Sequence, residues 1–233
     1  MYAGEKNVIK ILTLIRCGEK KNNYKKKRKK RNKLKFYTEN QHVILASSSK
    51  TRINYLKRYF RKVTAVKHKV DEIEIKKKNK NLSFEDLVNL LAKKKAQSIM
   101  EDYPQNIIIG SDQLLVCEGK LFNKSKNISE ARSNLIKLRG KKHTLISSTC
   151  AIKNQKTYFE ETKKAEMLFK NISQIRIEEY LMEKKRDVLM SVGSYRIEDN
   201  KKHNFLRVLK GDHETIIGFP LKNLKNKFME DMK

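Results

Sequence analysis

Three carboxylates, two lysines, one arginine and a run of serines stand along this chain, residue types that suit hydrolysis of a polyphosphate. They are Ser47-Ser48-Ser49 with Arg52, then Asp71-Glu72, Lys95, Asp112 and Lys124. Cations hold a triphosphate in place. Its hydrolysis needs a positioned, deprotonated water and a divalent ion that absorbs charge developing on phosphate oxygens. Magnesium or manganese takes carboxylate ligands and keeps waters. Glu72 and Asp112 are those carboxylates, and each suits either the metal role or the base role. Arg52 supplies a planar fork of donors, the lysines point charges. Each feature also has an ordinary reading. The serines are what any helix cap uses, Asp71-Glu72 fits an exposed turn, and Lys95 or Lys124 taken singly fits a solvated face. On the residues alone, the reading is a phosphate-binding α/β protein.

The elements that must carry these groups follow from the hydrophobic pattern. Val43-Ile44-Leu45-Ala46 reads as a buried strand, and Lys50 to Tyr59 as a helix with Ile53, Leu56 and Phe60 on one face. A strand that feeds a helix through hydroxyl residues is a place for anions, because the first backbone N–H groups of a helix lack internal partners. Val63 to Val66, then Val70, suggests a strand before Asp71-Glu72. Ser83 with Asp86 reads as a capping box. Behind it Leu87, Val88, Leu91, Ala92, Ala96 and Ile99 mark an apolar helix face that carries Lys95, and Pro104 follows. Ile107 to Ile109 is a short strand that Asp112 follows through Gly110-Ser111. Leu114 to Cys117 and Leu121-Phe122 flank a hairpin turn at Glu118-Gly119-Lys120. Ser129 to Leu138 is a helix stopped by Gly140. His143 to Ile152 and Thr157 to Phe169 are long strands joined at Asn154-Gln155. Ser173 to Glu183 is helical, Ser191 to Ile197 and Phe205 to Leu209 are strand-like, and Pro220 opens a last helix. This order predicts one α/β domain built on a mixed sheet.

Composition sets the remaining bounds. A hydrophobic content of 38% allows a core, and a formal net charge of +29 invites nucleic acid as a partner. Lysines spread along the whole chain, with only 2 prolines and no tryptophan, fit the codon bias of an AT-rich genome better than a dedicated stripe. Cys17, Cys117 and Cys150 are odd in number and far apart, which suits a reducing compartment rather than a disulfide framework. No apolar run reaches the ~18 residues of a membrane span. Residues 1–41 differ from the rest, with an apolar patch at Val8 to Ile15 and a basic run from Lys20 to Lys35 that is expected to be disordered. That extension reads as an arm for nucleic acid or a membrane surface, as a targeting segment, or as a non-functional product of a misplaced start. Residues 42–228 form the expected domain.

Taken in order, the motifs resemble the Maf-like nucleotide pyrophosphatase family from about Val43 to Leu224. The pieces are Leu45-Ala46-Ser47-Ser48-Ser49 with Arg52; Val70-Asp71-Glu72; Leu91-Ala92 with Lys95-Ala96; Ile109-Gly110-Ser111-Asp112-Gln113; Gly119 followed by Lys124; Glu130-Ala131 leading to Leu138-Arg139-Gly140 and His143; Gly193-Ser194-Tyr195; and Gly211 leading to Ile217-Gly218-Phe219-Pro220-Leu221. The resemblance implies a hydrolase that cleaves a nucleoside triphosphate between its α- and β-phosphates, giving the monophosphate and pyrophosphate. It implies an elongated mixed sheet flanked by helices, of the kind seen in inosine triphosphate pyrophosphatases. It also implies a divalent cation (Mg2+ or Mn2+), a cytoplasmic setting and a homodimer. Carried onto this chain, Ser47, Ser48 and Arg52 bind phosphates and Lys95 and Lys124 hold the triphosphate. Glu72 and Asp112 serve the metal and the attacking water, with Asp112 the expected base.

Gln113 and Glu198 match the relatives that act on 7-methyl-GTP, where those that prefer dTTP and UTP carry Thr and Gln. A carboxylate at 198 suits the N1–H and 2-amino group of guanine. Thr51 stands where that subgroup has an aromatic residue. Lys50, Ile53, Asn123 and Ser125 also depart from the family pattern; the key charges survive while the loops lose expected rigidity. The alternatives are a dTTP/UTP pyrophosphatase of the same family and a non-catalytic basic protein that binds nucleic acid or regulates cell division.

Overall fold

Val43, Ile44, Leu45 and Ala46 are all buried, on both faces of their strand, as a central parallel strand requires. The computed structural model describes residues 41–231, so the expectations for residues 1–40 lie outside it. Strand β1 (His42–Ala46) pairs in parallel with β2 (Lys62–Val66) and with β3 (Ile107–Cys117). Helix α1 (Lys50–Leu56) makes the crossover from β1 to β2, and α2 (Glu72–Lys78) and α3 (Phe84–Gln97) lead on to β3.

The chain then turns antiparallel. Glu118 and Gly119 both have positive φ, 51° and 72°, and join β3 to β4 (Lys120–Phe122) in the two-residue turn that matches strand twist. After α4 (Ile128–Leu138), β5 (Lys142–Lys153) lies against β3, and β6 (Lys156–Phe169) follows through a second such turn, Asn154-Gln155 at 50° and 61°. Helices α5 (Gln174–Lys184) and α6 (Asn200–His203) precede the edge strand β7 (Leu206–Lys210), and α7 (His213–Ile216) and α8 (Lys222–Glu230) close the described chain. The result is a seven-stranded mixed sheet in the order β2-β1-β3-β5-β6-β7, with β4 attached to β3.

Helices cover both faces of this sheet. On one side α3 lays Ala92, Ala96 and Ile99 on Ile44 and Ile108, and Leu87, Val88 and Leu91 on Leu114 and Ile146. On the other, α1 and α8 bring Leu56 and Phe228 onto Val43, Leu45 and Ile109, and α4 and α5 bring Leu135, Leu138 and Ile177 onto Leu115, Leu145 and Met167.

The register leaves an opening in the sheet. One edge of β3 pairs with β1 at Ile107 to Ile109 and with β4 at Leu115 to Cys117. Between them, Gly110 to Leu114 have no strand neighbour on that edge among the described residues, while β5 pairs with β3 continuously on the other, from Ile108 to Val116.

Four sequence expectations are corrected here. Helix α1 stops at Leu56 rather than Tyr59, although Phe60 is still buried. Strand β2 stops at Val66, so Val70 is outside it, and Asp71 caps a helix instead of ending a strand. Residues Ser191 to Ile197 form no strand; their one pairing is a bridge between Val192 and Lys124. Asp112 is not at a strand end but in the middle of an 11-residue strand, where the opening on the β1 side substitutes for an end.

Candidate active site

Gly110 explains how a charged pair forms inside the sheet. A Cβ there would lie 2.1 Å from the carbonyl oxygen of Ala92 and 2.7 Å from the backbone nitrogen of Ala96. Glycine lets α3 sit directly on β3. One turn along each element, Lys95 then faces Asp112 with Nζ 2.6 Å from Oδ1. The same Nζ lies 2.8 Å from Oε1 of Glu72. The side chains of Lys95 and Asp112 are 5% and 9% exposed, so one buried ammonium is shared by two carboxylates. Oδ2 of Asp112 is buried and has no hydrogen-bond partner among the described residues.

Glu72 reaches this point because Asp71 caps α2, accepting hydrogen bonds from the backbone N–H groups of Ile73 and Glu74. Glu72 is therefore the first helical residue and turns towards α3. Nε2 of His68 lies 3.4 Å from its Oε1. That contact first, then Lys95 and Lys124, holds the Glu72 carboxyl well below the usual carboxylate range, against the opposing effect of burial.

The serine loop divides its work. Oγ of Ser47 accepts from the N–H of Ser49, closing a tight turn. Ser49 is the cap of α1 and accepts from the N–H of Arg52. Ser48 is left exposed at the tip. Arg52 crosses the opening and its Nη1 donates to the carbonyl of Ser111 at 2.7 Å. Gly218, at φ +78°, leaves room for it, since a Cβ there would come within 2.8 Å of Nη2. Burial lowers the Arg52 pKa, while Asp112 and Glu72 pull it back up. Lys124 lies just beyond β4 and makes a single bridge to Val192. Desolvation, then the like charges of Arg52 and Lys95, lower its pKa; Glu72 and Asp112 oppose them. Lys124 is an exposed residue, so water screens these charges.

The residues singled out for base choice sit apart from the charged group. Gln113 is on the opposite face of β3 from Asp112. Its Nε2 donates to Oγ of Ser147 and lies within 3.1 Å of the carbonyls of Thr215 and Ile216, so its amide N–H groups are engaged with the protein. Thr51 at the start of α1 donates to Oε1 of exposed Glu198 at 3.3 Å, spanning from one side of the opening to the other. Arg196 stands 3.8 Å from Oε2 of the same carboxylate. His68 was missed by the sequence reading. Its one signal was its position four residues before Glu72, outside any helix.

The donor set can be tested for a divalent cation. Among the described residues no three His, Cys, Asp or Glu side chains gather as a ready-made cage. Glu72 and Asp112 offer two carboxylates, and Asp112 has an orphaned buried oxygen. Two carboxylates completed by waters and phosphate oxygens are what magnesium uses in phosphoryl-transfer sites, so the residues fit such an ion.

Comparison with known proteins places these features in a group. The sequence model described as Maf-like protein matches residues 42–230. The 7-methyl-GTP pyrophosphatase of Bartonella henselae is 37% identical over 179 residues, which cover 77% of this chain and 90% of that protein. The nucleoside triphosphate pyrophosphatase of Granulibacter bethesdensis is 33% identical over 181 residues, 77% of this chain and 91% of its own. That of Legionella pneumophila is 35% identical over 184 residues, 79% and 90%. With a family match across nearly all the described residues, this chain belongs to the Maf-like protein family.

Proposed function

We propose that the chain is a nucleoside triphosphate pyrophosphatase that hydrolyses the α–β phosphoanhydride, and that 7-methyl-GTP is its preferred substrate. One observation carries the reaction: a buried ammonium, Lys95, fixes Oδ1 of Asp112 at 2.6 Å and leaves Oδ2 unpartnered at an opening flanked by Arg52 and Lys124. Oδ2 is the atom suited to take a proton. Arg52 and Lys124 hold the phosphates, and Ser47 and Ser48 line the loop beside them. Lys95 acts first as the counter-ion of the two carboxylates and through them on the triphosphate. Glu72 and Asp112 would hold a divalent cation, which would supply neutralisation of phosphate charge and make a nearby water more acidic. In the step itself, a water oxygen bonds to phosphorus of the α–β linkage and the bridging P–O bond breaks. One water proton passes to Oδ2 of Asp112, and pyrophosphate leaves with the bonding electrons.

The base preference rests on Glu198. Its carboxylate is exposed beside Thr51 at the rim and suits the paired N–H donors of guanine; the Bartonella henselae relative carries the matching name. Gln113 acts indirectly, through α7 at Thr215 and Ile216. The catalytic unit in this reading is residues 42–228, so a chain lacking residues 1–40 is expected to keep its turnover. Buried free thiols at Cys117 and Cys150 support a cytoplasmic setting.

The test is pyrophosphate release from 7-methyl-GTP, GTP, dTTP, UTP, CTP and ITP with magnesium or manganese, beside Asp112→Asn. The expected result is preference for 7-methyl-GTP and a loss of about 10²–10⁴-fold in the variant. Preference for dTTP or UTP would keep the reaction and refute the Glu198 argument. No release from any of them would refute the reaction.

A further inference from the structure

His68 lies on the segment between β2 and α2, and its side chain is 19% exposed. The backbone N–H of Val70 donates to its Nδ1 at 3.3 Å. A backbone N–H only donates, so Nδ1 is the accepting nitrogen and the ring proton is on Nε2. Nε2 in turn faces Oε1 of Glu72 at 3.4 Å. Lys95 approaches the same oxygen at 2.8 Å. Both donors therefore converge on Oε1, and Oε2 is the oxygen left for a ligand. Asp112 is arranged the same way, with Oδ1 held by Lys95 and Oδ2 unpartnered.

We propose that His68 is a positioning residue, whose Nε2–H locks the Glu72 carboxylate so that its second oxygen is presented to a divalent cation. The inference rests on the pyrophosphatase reading for its chemistry and on the two contacts of the imidazole for its geometry. A carboxylate on the first residue of a short helix, 29% exposed, has several rotamers open to it. Lys95 alone does not choose among them, because a flexible ammonium follows either oxygen. A planar ring pinned by Val70 does choose. Hydrogen bonds from outside the ligand set that orient a metal-binding carboxylate are worth about 10–100-fold in metal affinity or activity.

The experiment compares the full chain with His68→Ala, His68→Gln and His68→Asn. A glutamine amide places its N–H close to the position of Nε2, while asparagine places it close to Nδ1. Free Mn2+ is followed by electron paramagnetic resonance during titration, with a non-hydrolysable α,β-methylene triphosphate at saturation, and kcat and KM are measured separately. The expected result is Mn2+ affinity weakened about 10-fold by Ala and Asn and restored to within about 3-fold by Gln. The fall in kcat should follow the metal affinity, with KM for the nucleotide moving less.

Unchanged Mn2+ affinity in folded His68→Ala overturns the proposal. So does a folded His68→Gln as weak as His68→Asn, since the ring and not its N–H would then matter. If Ala does not fold, the Gln and Asn pair decides. An unaltered protein that does not bind Mn2+ also overturns it. An unaltered protein that binds Mn2+ but releases no pyrophosphate refutes the functional reading instead, and the affinities still judge His68.

Discussion

Gly110→Ala is the sharpest probe of how the fold makes the site. The added Cβ would meet the carbonyl oxygen of Ala92 at 2.1 Å, and ordinary contact begins at about 3.4 Å, so α3 must retreat by about 1.3 Å. The obstacle is backbone on both sides, Ala92 and Ala96 of the helix against a strand paired along β5, so no side-chain rotation relieves it. Overpacking of this kind costs about 1–3 kcal/mol. The retreat also acts on the charged pair. A Lys95 ammonium carried with the helix would move from 2.6 Å to nearly 4 Å from Oδ1 of Asp112, beyond a hydrogen bond. Misplacement of a catalytic group by about 1 Å is worth roughly 10²-fold in rate. Urea denaturation and pyrophosphate release, measured on one preparation, should show both losses together. Stability within about 0.5 kcal/mol of the parent would refute the packing argument. Loss of stability with full turnover would refute the claim that helix spacing sets the Lys95–Asp112 pair.

Three further outcomes are expected. Because the Lys124 pKa is lowered, its ammonium is lost at a lower pH than that of a free lysine; KM for the nucleotide should begin to rise earlier on the alkaline side, and Lys124→Arg should remove that rise. His143 is buried against Tyr195 at 2.6 Å and its pKa is lowered to about 4 from 6.5 by desolvation. The unfolded chain binds more protons between those values, so this contribution is complete above pH 6.5 and falls by up to ~3 kcal/mol as pH drops to 4; urea denaturation at pH 7 and 4.5 should show a smaller difference for His143→Gln. Raising salt from 50 to 200 mM should weaken any nucleic-acid binding steeply, since many phosphates release counterions, while KM for a nucleotide changes much less; parallel slopes would favour the nucleic-acid reading.

Net charge and site charge obey different physics in this molecule. Lys69 with Asp102 and Lys141 with Glu118 are pairs at 2.7 Å, but both are exposed and screened by water. Such lysines add to the +29 without being tied to any task. Lys95 is different. Removing it would strand two carboxylates, one of them buried, and breaking a buried pair costs about 3–5 kcal/mol. Within the site, three cations (Arg52, Lys95, Lys124) face two carboxylates (Glu72, Asp112), an excess of a single charge. That excess is too small to neutralise a triphosphate, which is why the proposed reading gives the carboxylates a divalent ion to hold.

What could be read from the sequence was whatever local rules govern. The Ser83 cap holds, with Asp86 N–H donating to Oγ of Ser83 at 3.1 Å, and Asn154-Gln155 does join two long strands. Asp112 stands out for following an apolar run and a glycine, and Glu72 and Lys95 stand out separately as members of a charged set for a triphosphate; the three do meet. The sequence puts Asp112 at a strand end because the apolar run Ile107 to Ile109 gives way to Gly110-Ser111. Register is non-local, and only the pairing of β3 first with β1 and then with β4 reveals that Gly110 to Leu114 border an opening. The same limit hid His68. Its value depends on a backbone N–H two residues away and on a carboxylate turned by the Asp71 cap, and neither is visible in residue type or spacing. Local rules can therefore name the charges of such a site. The atom each charge leaves free is set by contacts between elements that are distant in the chain.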